Sequence, residues 1–208
     1  MSLELWFAFF IACSAVLAVP GPTVMLVISY ALARGRSSGW ATVPGVTLGD
    51  FTAMTISLAG AGAVLATSAT LFTALKLAGA AYLVWLGIKL WRAEPKLDDV
   101  ESVSGSRSSR SMFWNAFVVT ALNPKGIVFF VAFVPQFVDP LRPVLSQFVI
   151  LEATFVTLAA INVAVWAALA GTLRSRFKRP DTLRLVNRTG ASFLIGAGLL
   201  TAAVRRAS

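Results

Sequence analysis

Residues 3–33 read LELWFAFFIACSAVLAVPGPTVMLVISYALA. This stretch holds one ionised residue, Glu4, and one cluster of helix breakers, Pro20-Gly21-Pro22. A helix crosses the hydrocarbon core of a bilayer in about 20 residues. The stretch is longer than one straight crossing needs, which leaves room for a break at the proline cluster. Residues 7–19 resemble the apolar part of a signal peptide. However, a basic segment ahead of them is missing, and the apolar run continues through 24–32. The stretch is therefore read as a retained first span.

The rest of the chain has the same character. Hydrophobic residues make up 57% and charged residues 13% of the 208, against about 25% charged in soluble domains. The mean hydropathy is +0.79. A water-soluble core of this size could not hide so much apolar surface, but lipid would solvate it. Further spans are expected at 40–66, 70–90, 112–138, 145–172 and 185–204. The expected fold is an all-α integral membrane protein with six transmembrane helices, forming a single membrane domain over 1–208.

The net charge of +9 does not point to nucleic acid, because the basic residues occupy the gaps between spans rather than one face. Arg34 and Arg36 follow the first span. Lys89, Arg92, Lys96, Arg107 and Arg110 surround the gap between the third and fourth. Arg174, Arg176, Lys178, Arg179, Arg184 and Arg188 fill the gap between the fifth and sixth. These three gaps share one side. By the positive-inside rule that side is cytoplasmic and both termini face outward. The bases there suit contacts with anionic lipid headgroups. Trp6, Trp40, Trp91, Trp114 and Trp166 fall near span ends, as an aromatic belt requires. Residues 94–111 are polar and Ser-rich and read as a flexible cytoplasmic linker.

The two halves of the chain resemble each other. Gly79-Ala80-x-x-Leu83-x-x-x-Gly87 recurs as Gly190-Ala191-x-x-Leu194-x-x-x-Gly198. A second common shift carries Pro22 onto Pro124 and Asp50 onto Glu152. Three crossings end on the opposite side, so two such repeats (1–93 and 112–208, flanking the linker) must be inverted. Inverted repeats are a secondary-transporter architecture. The glycine rows Gly45/Gly49, Gly60/Gly62, Gly79, Gly87, Gly190, Gly196 and Gly198 are read as sites of close helix packing.

Three charges lie within spans. Asp50 is roughly 16 Å past Gly39 and Glu152 roughly 14 Å past Pro143, at 1.5 Å per residue. Lys125 sits inside the fourth span. Charges at such depth are costly, so they pair, face a wet cavity or serve transport. One lysine cannot fully neutralise two acids, which leaves a carboxyl for a proton or a cationic ligand. Pro20, Pro22 and Pro124 remove backbone donors within spans. Broken helix ends at Pro20-Gly21-Pro22 and Asn123-Pro124 can present amides to a carboxylate and carbonyls to a cation.

Several function classes are excluded. With no histidine and one cysteine, Cys13, the chain lacks the usual zinc and haem ligands and cannot form an internal disulfide. A membrane thiol oxidoreductase needs a cysteine pair. No cofactor is expected, and an enzyme is not expected. A carrier or channel for ions or other small solutes remains the alternative to a small-solute exporter, and a purely structural subunit is a further rival.

The pattern Pro20-Gly21-Pro22, Gly35-Arg36-x-x-Gly39, Gly45-x-x-x-Gly49-Asp50, Lys76-Leu77-x-Gly79-Ala80-x-Tyr82-Leu83-x-x-x-Gly87 and Asn123-Pro124-Lys125 resembles the LysE/RhtB amino-acid exporter family. Phe129-Phe130 and Pro135-Gln136-Phe137 extend the match nearly end to end. Thr23 and Pro44 depart from the usual pattern. The resemblance implies six helices in the bacterial inner membrane, an amino-acid substrate and export driven by the proton-motive force. The family's motif positions carry over to Gly21, Pro22, Asp50, Asn123, Pro124 and Lys125. Glu152 is added as a substrate- or ion-binding candidate on depth and repeat alignment alone. The partners expected are a small amino acid, protons and lipid, with no nucleic acid; a homo-oligomer is compatible with the sequence.

Overall fold

The computed structural model describes residues 1–18, 21–92, 108–139, 142–170 and 180–203. Every regular element among them is helical. In chain order they are α1 (Leu3–Ala18), α2 (Pro22–Arg34), α3 (Arg36–Thr67), α4 (Ala69–Arg92), α5 (Ser109–Ala121), α6 (Pro124–Ala132), α7 (Val144–Ala170) and α8 (Pro180–Ala203). A short 3-10 turn, Val134–Phe137, follows α6. Pro20 and residues 94–107 of the expected linker lie outside the described residues, as do the bases from Arg174 to Arg179. The last residues of that linker belong to a helix start: Ser108 caps α5 by accepting the Ser111 amide at 3.3 Å.

The first and fourth apolar stretches each form a bent pair. Leu3–Ala18 and Pro22–Leu32 meet at 50°, and Ser109–Ala121 and Pro124–Phe137 meet at 44°. Proline explains both restarts. Pro22 and Pro124 open α2 and α6, where a fixed φ favours the helix and no N–H is needed. Residues Thr73–Arg92 and Val144–Ala170 are long and apolar enough to cross a membrane alone, making four crossings when each bent pair counts as one. Among the others, α3 carries Arg36, Asp50 and many Ser, Thr and Gly, and α8 opens with Asp181, Arg184 and Arg188. Between α2 and α3 stands Gly35, at φ 88° and ψ 172°, a conformation essentially reserved for glycine.

Large apolar side chains face outward along these helices: Ile11, Ile56 and Leu145 are 65%, 68% and 77% exposed. Such an exterior suits hydrocarbon. Inside, Phe9, Cys13 and Val16 of α1 join Met54 and Leu58 of α3, Phe129 and Phe130 of α6, and Leu151 and Phe155 of α7 in the main core cluster. A second cluster gathers Val27, Val46, Ala116, Val163 and Ala167.

Small residues set the closest helix approaches. On Gly49 a Cβ would fall 2.8 Å from Thr120 Cβ and 2.9 Å from the Phe117 carbonyl oxygen, so α3 and α5 touch backbone to backbone. Gly45 meets Phe113 of α5 in the same way, and Gly79 meets Ala132 of α6. Gly60 and Gly196 differ from the expected packing role: nothing lies within 4 Å of either added Cβ. Gly62 makes only an ordinary contact, at 3.5 Å from Phe148.

The recurring motifs of α4 and α8 pack on each other reciprocally. A Cβ on Gly87 would meet the Ala191 carbonyl oxygen at 2.9 Å, and one on Gly198 would meet the Ala80 carbonyl oxygen at 2.7 Å. Gly87 and Gly198 are equivalent positions of the motif, as are Ala80 and Ala191. The helices therefore run antiparallel, with equivalent residues exchanged across the contact.

Candidate functional site

Both proline breaks open onto one cavity of about 60 Å³. It lies where the two core clusters meet. Val16, Phe129, Phe155 and Ala159 line it from the first, Val46 and Val163 from the second. One water needs about 10–15 Å³ of such space, so the cavity has room for a few water-sized groups. Its polar lining comes from Gly21 and Thr23 of the first break, Asn123 and Lys125 of the second, Asp50 of α3 and Asn162 of α7.

The breaks touch through Lys125. A Cβ built on Gly21 would lie 3.5 Å from both Cδ and Nζ of Lys125. The ammonium donates to the Val16 carbonyl at 3.3 Å. Val16 belongs to the last turn of α1, whose carbonyls lack helical partners and form the negative end of the helix dipole. The first break therefore offers a cation its carbonyl end, and Lys125 takes part of that offer. Asp50 lines the same cavity and lies within electrostatic reach of Lys125. Opposite charges thus share a largely apolar chamber.

The two restarted helices differ in their caps. Asn123 accepts the Lys125 amide at 3.1 Å, closing the first turn of α6. Gly21 has no side chain with which to cap α2. First-turn amides of a helix have no helical acceptor. At α2 these belong to Thr23 and Val24, and both residues line the cavity. An uncapped helix start beside an ammonium is an anion site in waiting.

A polar ladder continues between α2 and α5. Asn123 Nδ2 and the Thr120 hydroxyl each reach Thr23 Oγ1 at 3.3 Å. Two turns further along, Asn115 Nδ2 donates to the Tyr30 hydroxyl at 2.9 Å.

Of the residues expected from sequence, Gly21, Asp50, Asn123 and Lys125 line the cavity together. Pro22 and Pro124 serve as the first residues of α2 and α6 rather than as lining. Glu152 is not among the lining residues; it accepts a hydrogen bond from the Thr55 hydroxyl and so joins α7 to α3. Sequence reasoning passed over Thr23 and Asn162. Both are uncharged, and along the sequence they resemble the other hydroxyls and amides of the apolar runs.

The architecture and motifs can be compared with known proteins. Residues 14–203 match the family described as LysE type translocator. The chain belongs to that family. It is 34% identical over 205 residues to an uncharacterized membrane protein of Vibrio cholerae, covering 99% of this chain and 100% of the relative. It is 31% identical over 207 residues to a homoserine/homoserine lactone efflux protein of Salmonella typhi, with 100% of both chains covered. A leucine efflux protein of Enterobacter sp. is 31% identical over 138 residues, covering 66% of this chain and 64% of the relative. No solved structure matches the chain.

Proposed function

We propose that this LysE-family member exports a small amino acid, or a close derivative, across the bacterial cytoplasmic membrane by secondary active transport. The observation that carries the proposal is the pairing of Asp50 and Lys125 in one cavity at two helix breaks. A zwitterion presents complementary charges at short separation. Its ammonium goes to Asp50. Its carboxylate goes to the uncapped first turn of α2, with Lys125 adding positive charge. The names of the homoserine and leucine efflux relatives support the substrate class.

In this reading the chain crosses the membrane six times as two inverted repeats, with both termini outside and the basic loops cytoplasmic. The reciprocal contact of α4 with α8 supports the pseudo-two-fold relation, and so does the meeting of the two breaks. The halves rock about the central cavity to alternate access. Asp50 holds either a proton or the substrate ammonium, not both. That exclusion links outward movement of substrate to inward movement of protons. Glu152 acts as a bond between α3 and α7, not as the substrate carboxylate.

The test is flux of labelled amino acids into or out of proteoliposomes under an imposed proton gradient, with wild type beside Asp50→Asn. Gradient-driven flux in wild type that falls at least tenfold in the variant is expected. Undiminished gradient-driven flux in Asp50→Asn removes Asp50 from the coupling role.

A further inference from the structure

The cavity is closed differently at its two ends. Toward one end its wall runs into the second core cluster. Val46 and Val163 belong to both, and Val27, Ala116 and Ala167 continue the cluster with small side chains. Beyond that layer Asn115 Nδ2 donates to the Tyr30 hydroxyl at 2.9 Å, joining α5 to α2. Tyr30 is fully buried. Thr23, Val27 and Tyr30 follow one another at spacings of four and three, so they share one face of α2. That face leads from the cavity edge, through the apolar layer, to the hydrogen bond.

The other end is filled with rings. α6 continues the course of α5 past the bend, so its phenylalanines lie on the far side of the cavity from Asn115. Phe9 packs on Phe137, Phe129 on Phe133 and Phe130 on Phe155, with ring centroids 5.2, 4.9 and 4.8 Å apart. The shift that carries Pro22 onto Pro124 also carries Val27 onto Phe129, Ile28 onto Phe130, Tyr30 onto Ala132 and Cys13 onto Asn115. The equivalents of the bonded pair are thus Ala132 and Cys13, and alanine has no side-chain polar atom with which to form such a bond. Large apolar rings stand on one side where small residues and one polar pair stand on the other.

We infer that Tyr30 and Asn115 form the latch of a gate at the α2–α5 end of the cavity, and that this end yields when the latch is released. Parting α2 from α5 there sacrifices one neutral hydrogen bond and contacts between small side chains. Parting the far end sacrifices three ring pairs, whose many atom contacts sum to far more. The inference uses the alternating-access reading above and adds the residues that hold one end shut. On the proposed topology this is the cytoplasmic end, where an exported solute enters.

The test is thiol accessibility in the purified full-length protein. Val46→Cys places a reporter in the layer behind the latch, at a position that is 0% exposed. Native Cys13, also 0% exposed and part of the ring-filled cluster, is the control in the same chain. Both are treated with a charged, water-soluble thiosulfonate reagent, and each modification rate is read by peptide mass spectrometry. Tyr30→Phe, which keeps the ring, and Asn115→Leu are each expected to speed modification of the introduced thiol about three- to tenfold, the size of effect one neutral hydrogen bond exerts on an opening equilibrium. Cys13 is expected to keep its rate. The double variant is expected to match the faster single variant, because both changes delete the same bond. Unchanged rates at the introduced thiol overturn the latch, and so does an effect in only one of the two single variants. Equal acceleration at both thiols overturns it by showing general loosening. Independent, multiplying effects in the double variant overturn the pairing. The measurement needs no flux, so failure of the latch leaves the transport reading to its own test.

Discussion

The contact of α4 with α8 yields a symmetric prediction. Gly87→Ala places a Cβ 2.9 Å from the Ala191 carbonyl oxygen and 2.6 Å from Ile195 Cγ1. Gly198→Ala places one 2.7 Å from the Ala80 carbonyl oxygen and 2.7 Å from Val84 Cγ2. Favourable carbon contacts lie at about 3.5–4.0 Å. Each methyl therefore demands a shift of more than half an ångström, and in each case part of the obstacle is backbone. Overpacking of this kind costs about 1–3 kcal/mol. Gly60→Ala and Gly196→Ala are the controls, because nothing lies within 4 Å of either Cβ. There the general helix preference for alanine contributes about 0.5–1 kcal/mol of stabilisation. Thermal unfolding in detergent should place the two contact variants below wild type and both controls at or above it. The double variant Gly87→Ala/Gly198→Ala should lose less than the sum, since one separation of the helices relieves both clashes. Contact variants that melt with the controls would refute the packing argument. A large effect at one glycine and none at the other would refute the reciprocity.

Two further predictions concern the buried charges. Lys125→Met removes the ammonium that lies near Asp50 and leaves its carboxylate uncompensated in the cavity; a loss on the order of 3 kcal/mol is expected. Adding Asp50→Asn should recover most of that loss in the same unfolding assay, and a double variant no more stable than Lys125→Met would show that the two charges do not compensate each other. Glu152→Gln should keep at least half of wild-type flux in proteoliposomes, because Glu152 lies off the cavity lining. Its loss should appear in stability instead, by about 1 kcal/mol, as the bond from Thr55 weakens; abolished flux in a stable variant would return Glu152 to the transport site.

Much of the helix layout was legible because its signals are local. Proline is favoured at the first position of a helix, so Pro22 and Pro124 mark the two restarts, whereas Pro44 stands inside the continuous helix α3. Runs of apolar residues between basic gaps marked the other helices, and α3, α4, α7 and α8 fall on them within a few residues. The motif shared by α4 and α8 was visible as a spacing, but its reciprocal contact depends on how two distant helices turn toward each other. Packing glycines could not be told from idle ones for the same reason: Gly49 and Gly60 look alike along α3, yet only one faces another backbone. Position along the helix was legible for Asp50 and Glu152, while helix rotation was not. Asp50 turns into the cavity, and Glu152 turns to Thr55. The uncharged lining, Thr23 and Asn162, escaped because hydroxyls and amides recur throughout membrane helices with their needs met locally. Ser29 and Thr47 satisfy theirs on carbonyls one turn back, so only the three-dimensional surroundings distinguish Asn162 from such residues.

In the proposed mechanism, a twofold scaffold poses a problem for an amino acid, whose two ends carry opposite charges. If the halves were chemically equivalent, the substrate would bind equally well in either orientation. The structure breaks the equivalence at two matched positions. At the helix starts, Gly21 offers α2 no side-chain cap, whereas Asn123 accepts the Lys125 amide of α6. Among the acids, Asp50 lines the cavity, whereas Glu152 is bonded away from it. Lys125 adds a third difference, since its counterpart at the same shift is Thr23. On the proposed reading the repeat supplies two halves that exchange roles, and the side chains differ where the zwitterion is oriented. A carboxylate then has one preferred end of the cavity and an ammonium the other. The prediction for Asp50→Asn follows from this arrangement: Glu152 occupies the equivalent place in the repeat, but it is turned toward α3 and cannot stand in for the lost charge.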